Sequence, residues 1–433
     1  MGMAVMCILT LSMLLILLAA GYPIAFAMGT VVVAGILAWF DPALLFQLVQ
    51  ISMDMSTSFL FLVAPLFVLM AELIVASGMA DDAFSAARKW FNWLPGGLAI
   101  SSIFACTVFA AVSGSSPLTA ATIGMVAIPG MSERGYSKKL AAGVVATAGT
   151  IGIMIPPSLC MIIYGLLSGT SIGKLFIAGI VPGLVLTLAL VVTVIILVKI
   201  NPAIAPIHEE KISWKERFVS LKRVGPILTL CIFVLGSIYA GIATPSEAAA
   251  VGASGAFIAL MIIEKCNFKK LKPALVRSAG ICCAIMFLMI GGNFMAFLLT
   301  YIGLPEALLE FMLDLGVGRW GVMILINMVL VFLGCFLDPT AILVLSVPLV
   351  FPIITSLGFD PVWFGVIMTL NVEIGMVTPP VGLNLYVLKA IDPDLDIDVV
   401  ILGAMPFLFA LVLCMVLFMV FPQISLWLPN LMQ

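Results

Sequence analysis

Two short strings hold the residues best suited to chemistry. GTIGIMIPPS (149–158) and EIGMVTPPVG (373–382) each set glycine ahead of two adjacent prolines inside an otherwise apolar stretch. Adjacent prolines remove two N–H donors and free carbonyls four residues upstream. Glycine lets the chain turn and approach closely. The product is a short ring of backbone oxygens flanked by small hydroxyls, a ligand set of sodium size that needs no formal charge. Gly152, Ile155 and Pro157, through their carbonyls, form one candidate cation site with Ser113; Gly375, Thr378 and Pro380 form a second with Gly334. A proline kink serving only packing is the competing reading of either string alone. Two such strings, each opposite a polar tip, favour ion binding.

Those tips are SGSSP (113–117) and FLDPT (336–340). Ser116-Pro117 and Asp338-Pro339 each read as an N-cap followed by proline at the first helical position. Two helix N-termini at mid-membrane would favour an anion. Ser115, Ser116, Thr119 and Thr340 are placed to hydrogen-bond a carboxylate beside Pro117. Asp338 is itself an anion, and reads equally as a self-cap or as a member of the cation site. Asn371 and Glu373 stand just before the second break; an intramembrane carboxylate is a functional candidate, and one that can also hold a break open by hydrogen bonding. Glu72 is a similar group, read chiefly as a structural partner.

The elements that position these residues follow from composition. Of 433 residues, 64% are hydrophobic and 9% charged, which cannot cover a soluble domain of this length with charge. Apolar runs of about 20 residues, enough to cross a bilayer core, recur throughout. The expectation is an all-α polytopic membrane protein with the lipid bilayer as solvent and no nucleic-acid partner. Met1 to Ala20 has no positive residue ahead of its apolar run and no A-x-A site, so it reads as a first span rather than a signal peptide. The nine cysteines lie at or within spans, except Cys266 beside one, and show no metal spacing. His208 falls in a polar loop.

The chain repeats itself. At a separation of 223, Pro129 meets Pro352, Gly135 meets Gly358, Gly152 meets Gly375, and Pro156 and Pro157 meet Pro379 and Pro380. Four segments hold 16 of the 19 basic residues: 88–89, 134–139, 199–223 and 265–277. Lys and Arg mark cytoplasmic ends. The counterpart of SERGYSKK, ITSLGFDPV (354–362), has none, so the two repeats are expected to face opposite ways. Residues 88–97 and 132–139 flank the apolar stretch 98–129 on one side, which predicts a re-entrant hairpin rather than a crossing.

The predicted plan has a first repeat over 1–210, with hairpin 98–131 and broken helix 138–168. A cytoplasmic amphipathic linker covers 211–223. The second repeat, 224–433, has hairpin 320–354 and broken helix 361–391. Ten full spans and two hairpins put both termini outside. Nothing supports ATP use: TSIGKL (170–175) has Ser168 at the early glycine position of a P-loop, and Leu175 after its lysine.

GTIGIMIPPSLCMIIYGLLSGTSIGKLFIAGIVPGL (149–184), NVEIGMVTPPVGLNLYVLKAI (371–391) and SGSSP resemble the large membrane subunit of TRAP (tripartite ATP-independent periplasmic) transporters, over essentially the full chain. The resemblance implies a sodium-coupled importer of an organic acid in a bacterial inner membrane, working by an elevator movement of hairpins and broken helices. It implies a small four-helix membrane subunit, expected on a separate chain, and a periplasmic substrate-binding protein. C4-dicarboxylates and sialic acid are substrates of the family. Two other readings remain: a stand-alone divalent-anion/sodium symporter, and, more remotely, an intramembrane enzyme. The second lacks a base, because the one histidine lies far from the SGSSP serines.

Overall fold

The apolar runs fold wholly as helices, interrupted where glycine and proline interrupt the sequence. The computed structural model describes residues 3–206, 212–263, 268–314, Gly316 and 318–432. His208, Lys211, Lys265 and Cys266 lie outside the described residues. The first half comprises α1 (Met3–Ala19), α2 (Ile24–Trp39), α3 (Leu45–Thr57), α4 (Val63–Ala76), α5 (Met79–Phe91), α6 (Gly97–Ser113), α7 (Ser116–Ser132), α8 (Lys138–Ala148), α9 (Leu159–Ser168) and α10 (Ile172–Ile200). The second comprises α11 (Trp214–Tyr239), α12 (Pro245–Ile263), α13 (Phe268–Ile302), α14 (Leu304–Asp314), α15 (Arg319–Gly334), α16 (Pro339–Ser356), α17 (Pro361–Met376), α18 (Leu383–Ile391) and α19 (Ile397–Val420).

The element bounds of the halves correspond at the spacing of the sequence repeat. The helix α13 covers what α3 and α4 cover together, α6–α7 match α15–α16, and α8–α9 match α17–α18. Seven helices among the described residues are long and apolar enough to cross a membrane singly: α10, α11, α12, α13, α16, α19, and α4 with the turn that leads into it. The other apolar segments are shorter, and α8–α9 and α17–α18 are each split by their prolines. The peptides Pro156–Pro157 and Pro379–Pro380 are both cis.

Two helical groups emerge from the packing. In one, α2 packs on α13, α4 on α12 and α13, and α11 on α12. In the other, α6–α10 interleave with α15–α19, through α8 on α19, α7 on α18, α9 on α16 and α10 on α17. The amphipathic α5, with Ala80, Ala83, Phe84 and Ala87 buried, bridges α11 and α6. The hairpins meet the first group differently: α6 lies on α4, whereas α16 lies on α13.

Two expectations are corrected here. The stretch read as a linker over 211–223 is helical from Trp214 and runs without a break into α11. Its start is fixed by a capping box, in which the Ser213 hydroxyl accepts from Glu216 N–H and the Glu216 carboxylate accepts from Ser213 N–H. Trp214 and Phe218 are 66% and 59% exposed and meet Trp90 of α5 edge to face. The cap of α7 is Ser115, not Ser116. Ser115 is the extended residue, and it makes no side-chain cap bond.

Small residues set the closest helix approach, as is usual where lipid supplies no hydrophobic drive between helices. A Cβ on Gly143 of α8 would stand 2.0 Å from the Gly403 carbonyl oxygen, and one on Gly403 would stand 2.0 Å from the Lys139 carbonyl oxygen. Backbone cannot yield as a side chain can, so Gly403→Ala is expected to destabilise by about 1–3 kcal/mol. Gly280→Ala, whose new methyl meets nothing within 4 Å, is the control. Thermal unfolding in detergent checks this: a clear fall for Gly403→Ala with no fall for Gly280→Ala is the expected result.

Candidate functional site

The first break begins where α8 tightens into a 3-10 turn over Gly149–Ile153, because Pro156 and Pro157 cannot carry the helix on. The N–H groups of Met154 and Ile155 both turn back to the Ile151 carbonyl, at 3.0 and 3.1 Å. Ser158 then caps α9, accepting from Met161 N–H at 3.3 Å while its hydroxyl donates to the Ile153 carbonyl.

The tip of the first hairpin closes over this break. Leu159 N–H donates to the Gly114 carbonyl at 3.2 Å. A Cβ on Gly114, whose φ is +58°, would stand 2.7 Å from the Pro157 carbonyl oxygen, so glycine is what permits the approach. Ser113 Oγ and Thr119 Oγ1 are 2.7 Å apart, and Thr119 Oγ1 donates to the Ser115 carbonyl, also at 2.7 Å. Thr119 has one proton, and it is used there. Ser113 must therefore donate to Thr119, which leaves the Ser113 lone pairs open. Gly152 backs onto the same cluster: a Cβ there would fall 2.7 Å from Thr119 Oγ1 and 2.8 Å from the Ser115 carbonyl oxygen. Ser113, Thr119 and Gly152 are thus in one place, and the donor set is all oxygen, which fits a hard cation.

The second tip and break repeat the contact. Gly382 N–H donates to the Cys335 carbonyl at 3.2 Å. A Cβ on Gly334 would stand 2.8 Å from the Gly375 Cα. Thr378 Oγ1 donates to the Ile374 carbonyl at 2.6 Å, which commits its one proton. The second break is less enclosed: Pro157 and Ser158 are buried, whereas Pro380 is exposed.

The two tips differ in charge. Asp338 caps α16 as expected, its Oδ1 accepting from Thr340 N–H at 2.9 Å and Ala341 N–H at 3.2 Å. The positive end of α16 is therefore already met by a carboxylate. The end of α7 is not. A cavity of about 110 Å³ lies beside the first tip, walled by Ser113, Gly114, Ser115 and Pro157 on one side and by Phe67 and Glu72 of α4 on the other. Of the four hydroxyl residues expected to hydrogen-bond a carboxylate, only Ser115 lines it. Ser116 is buried beneath, accepting from Asn384 Nδ2 at 2.8 Å. Pro117 stands in the first turn of α7, and Thr119 joins Ser113 and Gly152. Asp338 and Thr340 sit at the other tip. Asn371 donates to Asn327 Oδ1 of α15 at 2.8 Å. Glu373 is wholly buried, and neither carboxylate oxygen has a hydrogen-bond partner.

Three residues that join this site have little sequence signal. Asn384 ties α18 to α7 through Ser116, and to α8 through the Ala146 carbonyl at 3.0 Å. Asn327 anchors Asn371, and Ser158 fastens the first break. Polar residues inside apolar helices are the cue that marks them.

A profile described as "Tripartite ATP-independent periplasmic transporter, DctM component" matches residues 11–424. The C4-dicarboxylate TRAP transporter large permease protein DctM of Pseudomonas aeruginosa is 38% identical over 380 residues, 87% of this chain and 88% of that protein. The sialic acid TRAP transporter large permease protein SiaM of Vibrio cholerae is 32% identical, over 96% of each. In fold, the chain resembles the crystal structure of the Alcanivorax borkumensis YdaH transporter, with a TM-score of 0.62 at 16% identity, covering 89% of this chain and 88% of that one. The match over nearly the whole length, with paired hairpins closing over paired helix breaks, makes this chain a member of the DctM family, the large multi-pass membrane permeases of TRAP transporters, and a transporter subunit rather than an enzyme.

Proposed function

We propose that this permease imports an organic acid, a C4-dicarboxylate or sialic acid, across a bacterial inner membrane by coupling it to sodium entry. It works with a small four-helix membrane subunit and a periplasmic substrate-binding protein. The observation that carries the coupling is the paired contact of tip and break, each holding a hydroxyl, Ser113 or Thr378, whose proton is committed and whose lone pairs are open. Such oxygens suit a cation that sheds its water without meeting a formal charge. The substrate anion is assigned to the first tip, where the α7 N-terminus lacks the carboxylate cap that fills the second. The hairpins and broken helices then carry both past the α1–α4 and α11–α13 group as one body.

Reconstitution tests the whole reading. Vesicles holding this chain and its small subunit are expected to accumulate radiolabelled succinate or sialic acid only with an inward sodium gradient and the binding protein together. Sodium-driven uptake without the soluble protein would instead make the chain a stand-alone symporter.

The two cation sites have their own test. Ser113→Ala and Thr378→Ala each remove one ligand, and each is expected to raise the half-saturating sodium concentration roughly tenfold, the equivalent of about 1.4 kcal/mol. Unchanged sodium activation in both variants would remove the assignment.

Opposed orientation of the repeats places both termini outside, and is testable by thiol labelling in a cysteine-free background. Ser132 and Thr355 are both exposed and stand 223 residues apart. Cysteine at 132 is expected to label from the cytoplasm and cysteine at 355 from the periplasm; labelling from one common side overturns the inversion.

A further inference from the structure

The end of α5 and the start of α11 meet in a knot of aromatic rings that ion and substrate binding do not use. Trp90 Nε1 donates to the Arg217 carbonyl at 3.2 Å and ties the two helices together. Trp214 and Phe218 meet the Trp90 ring at 6.4 and 5.8 Å. Trp93, whose Nε1 donates to the Trp90 carbonyl at 2.9 Å, is exposed beside them.

The knot is one end of a longer stripe. Trp214, Phe218, Leu221, Leu228 and Ile232 are all exposed, and their spacing puts them on one face of α11, a helix apolar and long enough to span. A stripe of this kind on a spanning helix faces lipid, and tryptophan at its end suits the headgroup level, where its ring and its N–H are both accommodated. At 3.6 residues per turn, Lys215 and Lys222 flank the stripe on one side and Arg217 on the other. Nearby acids are already engaged: the Glu216 carboxylate accepts from Ser213 N–H at 2.9 Å, and Asp82 of α5 pairs with Arg223 at 3.4 Å. Among the described residues Lys215, Arg217 and Lys222 have no acidic partner. The Arg217 guanidinium lies over the Trp214 ring, 4.9 Å from its centre, and its Nε is buried without a hydrogen-bond partner.

We propose that the α5–α11 junction binds the phosphate of an anionic phospholipid, of the phosphatidylglycerol kind, with Lys215, Arg217 and Lys222 around the headgroup and Trp93, Trp214 and Phe218 in the layer beneath it. Two observations select this occupant. Uncompensated positive charge calls for an anion, and the apolar stripe that runs on from it calls for acyl chains rather than a soluble ligand. Guanidinium stacked on an aromatic ring is well suited to phosphate oxygens. Because α5 also packs on α6, the bound lipid holds the joint between α11 and the first hairpin at the membrane surface. The inference stands on membrane placement alone and does not depend on which ion or acid is carried.

Brominated lipids, which quench tryptophan on contact, test it. The chain and its small subunit are placed in phosphatidylcholine vesicles with a minor fraction of brominated phosphatidylglycerol or, in parallel, of brominated phosphatidylcholine. Trp214 emission is taken as the difference between wild type and Trp214→Phe. Brominated phosphatidylglycerol is expected to quench it at about tenfold lower mole fraction, since each cationic group near an anionic surface contributes about fivefold. High salt should erode that preference. The triple variant Lys215→Gln, Arg217→Gln, Lys222→Gln breaks no buried pair; it is expected to keep the wild-type thermal stability in detergent and to lose the preference. Equal quenching by the two lipids in wild type, or an undiminished preference in the triple variant, overturns the proposal. Absence of quenching by either lipid overturns it as well, because another protein surface then covers the stripe. Sodium-driven uptake by the same vesicles is read separately, so the lipid site and the importer reading stand or fall independently.

Discussion

A helix interrupted inside hydrocarbon must have its exposed backbone groups met by protein, since water is not there to meet them. In this chain the partner is the tip of a neighbouring hairpin. Leu159 N–H, two residues after the first proline pair, goes to the Gly114 carbonyl; Gly382 N–H, two residues after the second, goes to the Cys335 carbonyl. Most of the architecture follows from these two bonds. A hairpin tip narrow enough to reach the break needs glycine at the contact, as at Gly114 and Gly334. A tip held against the break needs two short arms, and α6–α7 and α15–α16 supply them. The carbonyls that the bonds leave over are the groups proposed to coordinate the cation, so on that reading one arrangement both preserves the broken helix and equips it.

The same plan executed twice does not give two equal ends. At the first, the break is buried, the tip helix begins without a side-chain cap, and a cavity lies alongside. At the second, Pro380 is exposed, Val381 is 36% exposed, and Asp338 closes the helix end. A positive helix end satisfied by its own carboxylate has little left for a substrate anion. On the proposed assignment each end takes a cation, and the acid goes to the first, where the helix end is uncapped and a cavity lies alongside.

Much of this was legible because proline and glycine act locally. Pro156-Pro157 and Pro379-Pro380 stop helices wherever they stand, and Asp338-Pro339 caps and starts one within three residues, so both features could be read without knowing what lies beside them. Ser116 misled for the opposite reason. Its local pattern is that of a cap, but its hydroxyl accepts from Asn384, 268 residues away, and the cap position moves to Ser115. Glu72 could be marked as a group needing a partner. That the partner is Arg277, counted in the sequence only as one of a cytoplasmic cluster, depends on how α4 and α13 pack across 205 residues. The linker reading of 211–223 failed on a smaller point: amphipathic residues can equally form the first turns of a spanning helix, and the capping box at Ser213 commits them to it.

What would let the site move is the way polar ties are distributed. The helices that hold the breaks are joined across the two halves by directional bonds: Tyr164 Oη to the Pro361 carbonyl at 2.7 Å, Asn384 to Ser116 and Ala146, and α8 seated on α19 at Gly143 and Gly403. Buried hydrogen bonds of this kind are costly to break one at a time, so these helices keep their relative positions. Where α4 and α13 face them, the contacts are of another sort. Phe67 meets Phe176 edge to face at 5.7 Å, and Val344 fits the hollow left by Gly292. Apolar surfaces bind without fixed direction, and can exchange one set of neighbours for another at little change in free energy. A group stitched internally by hydrogen bonds and bounded by such surfaces has what the proposed movement as one body requires.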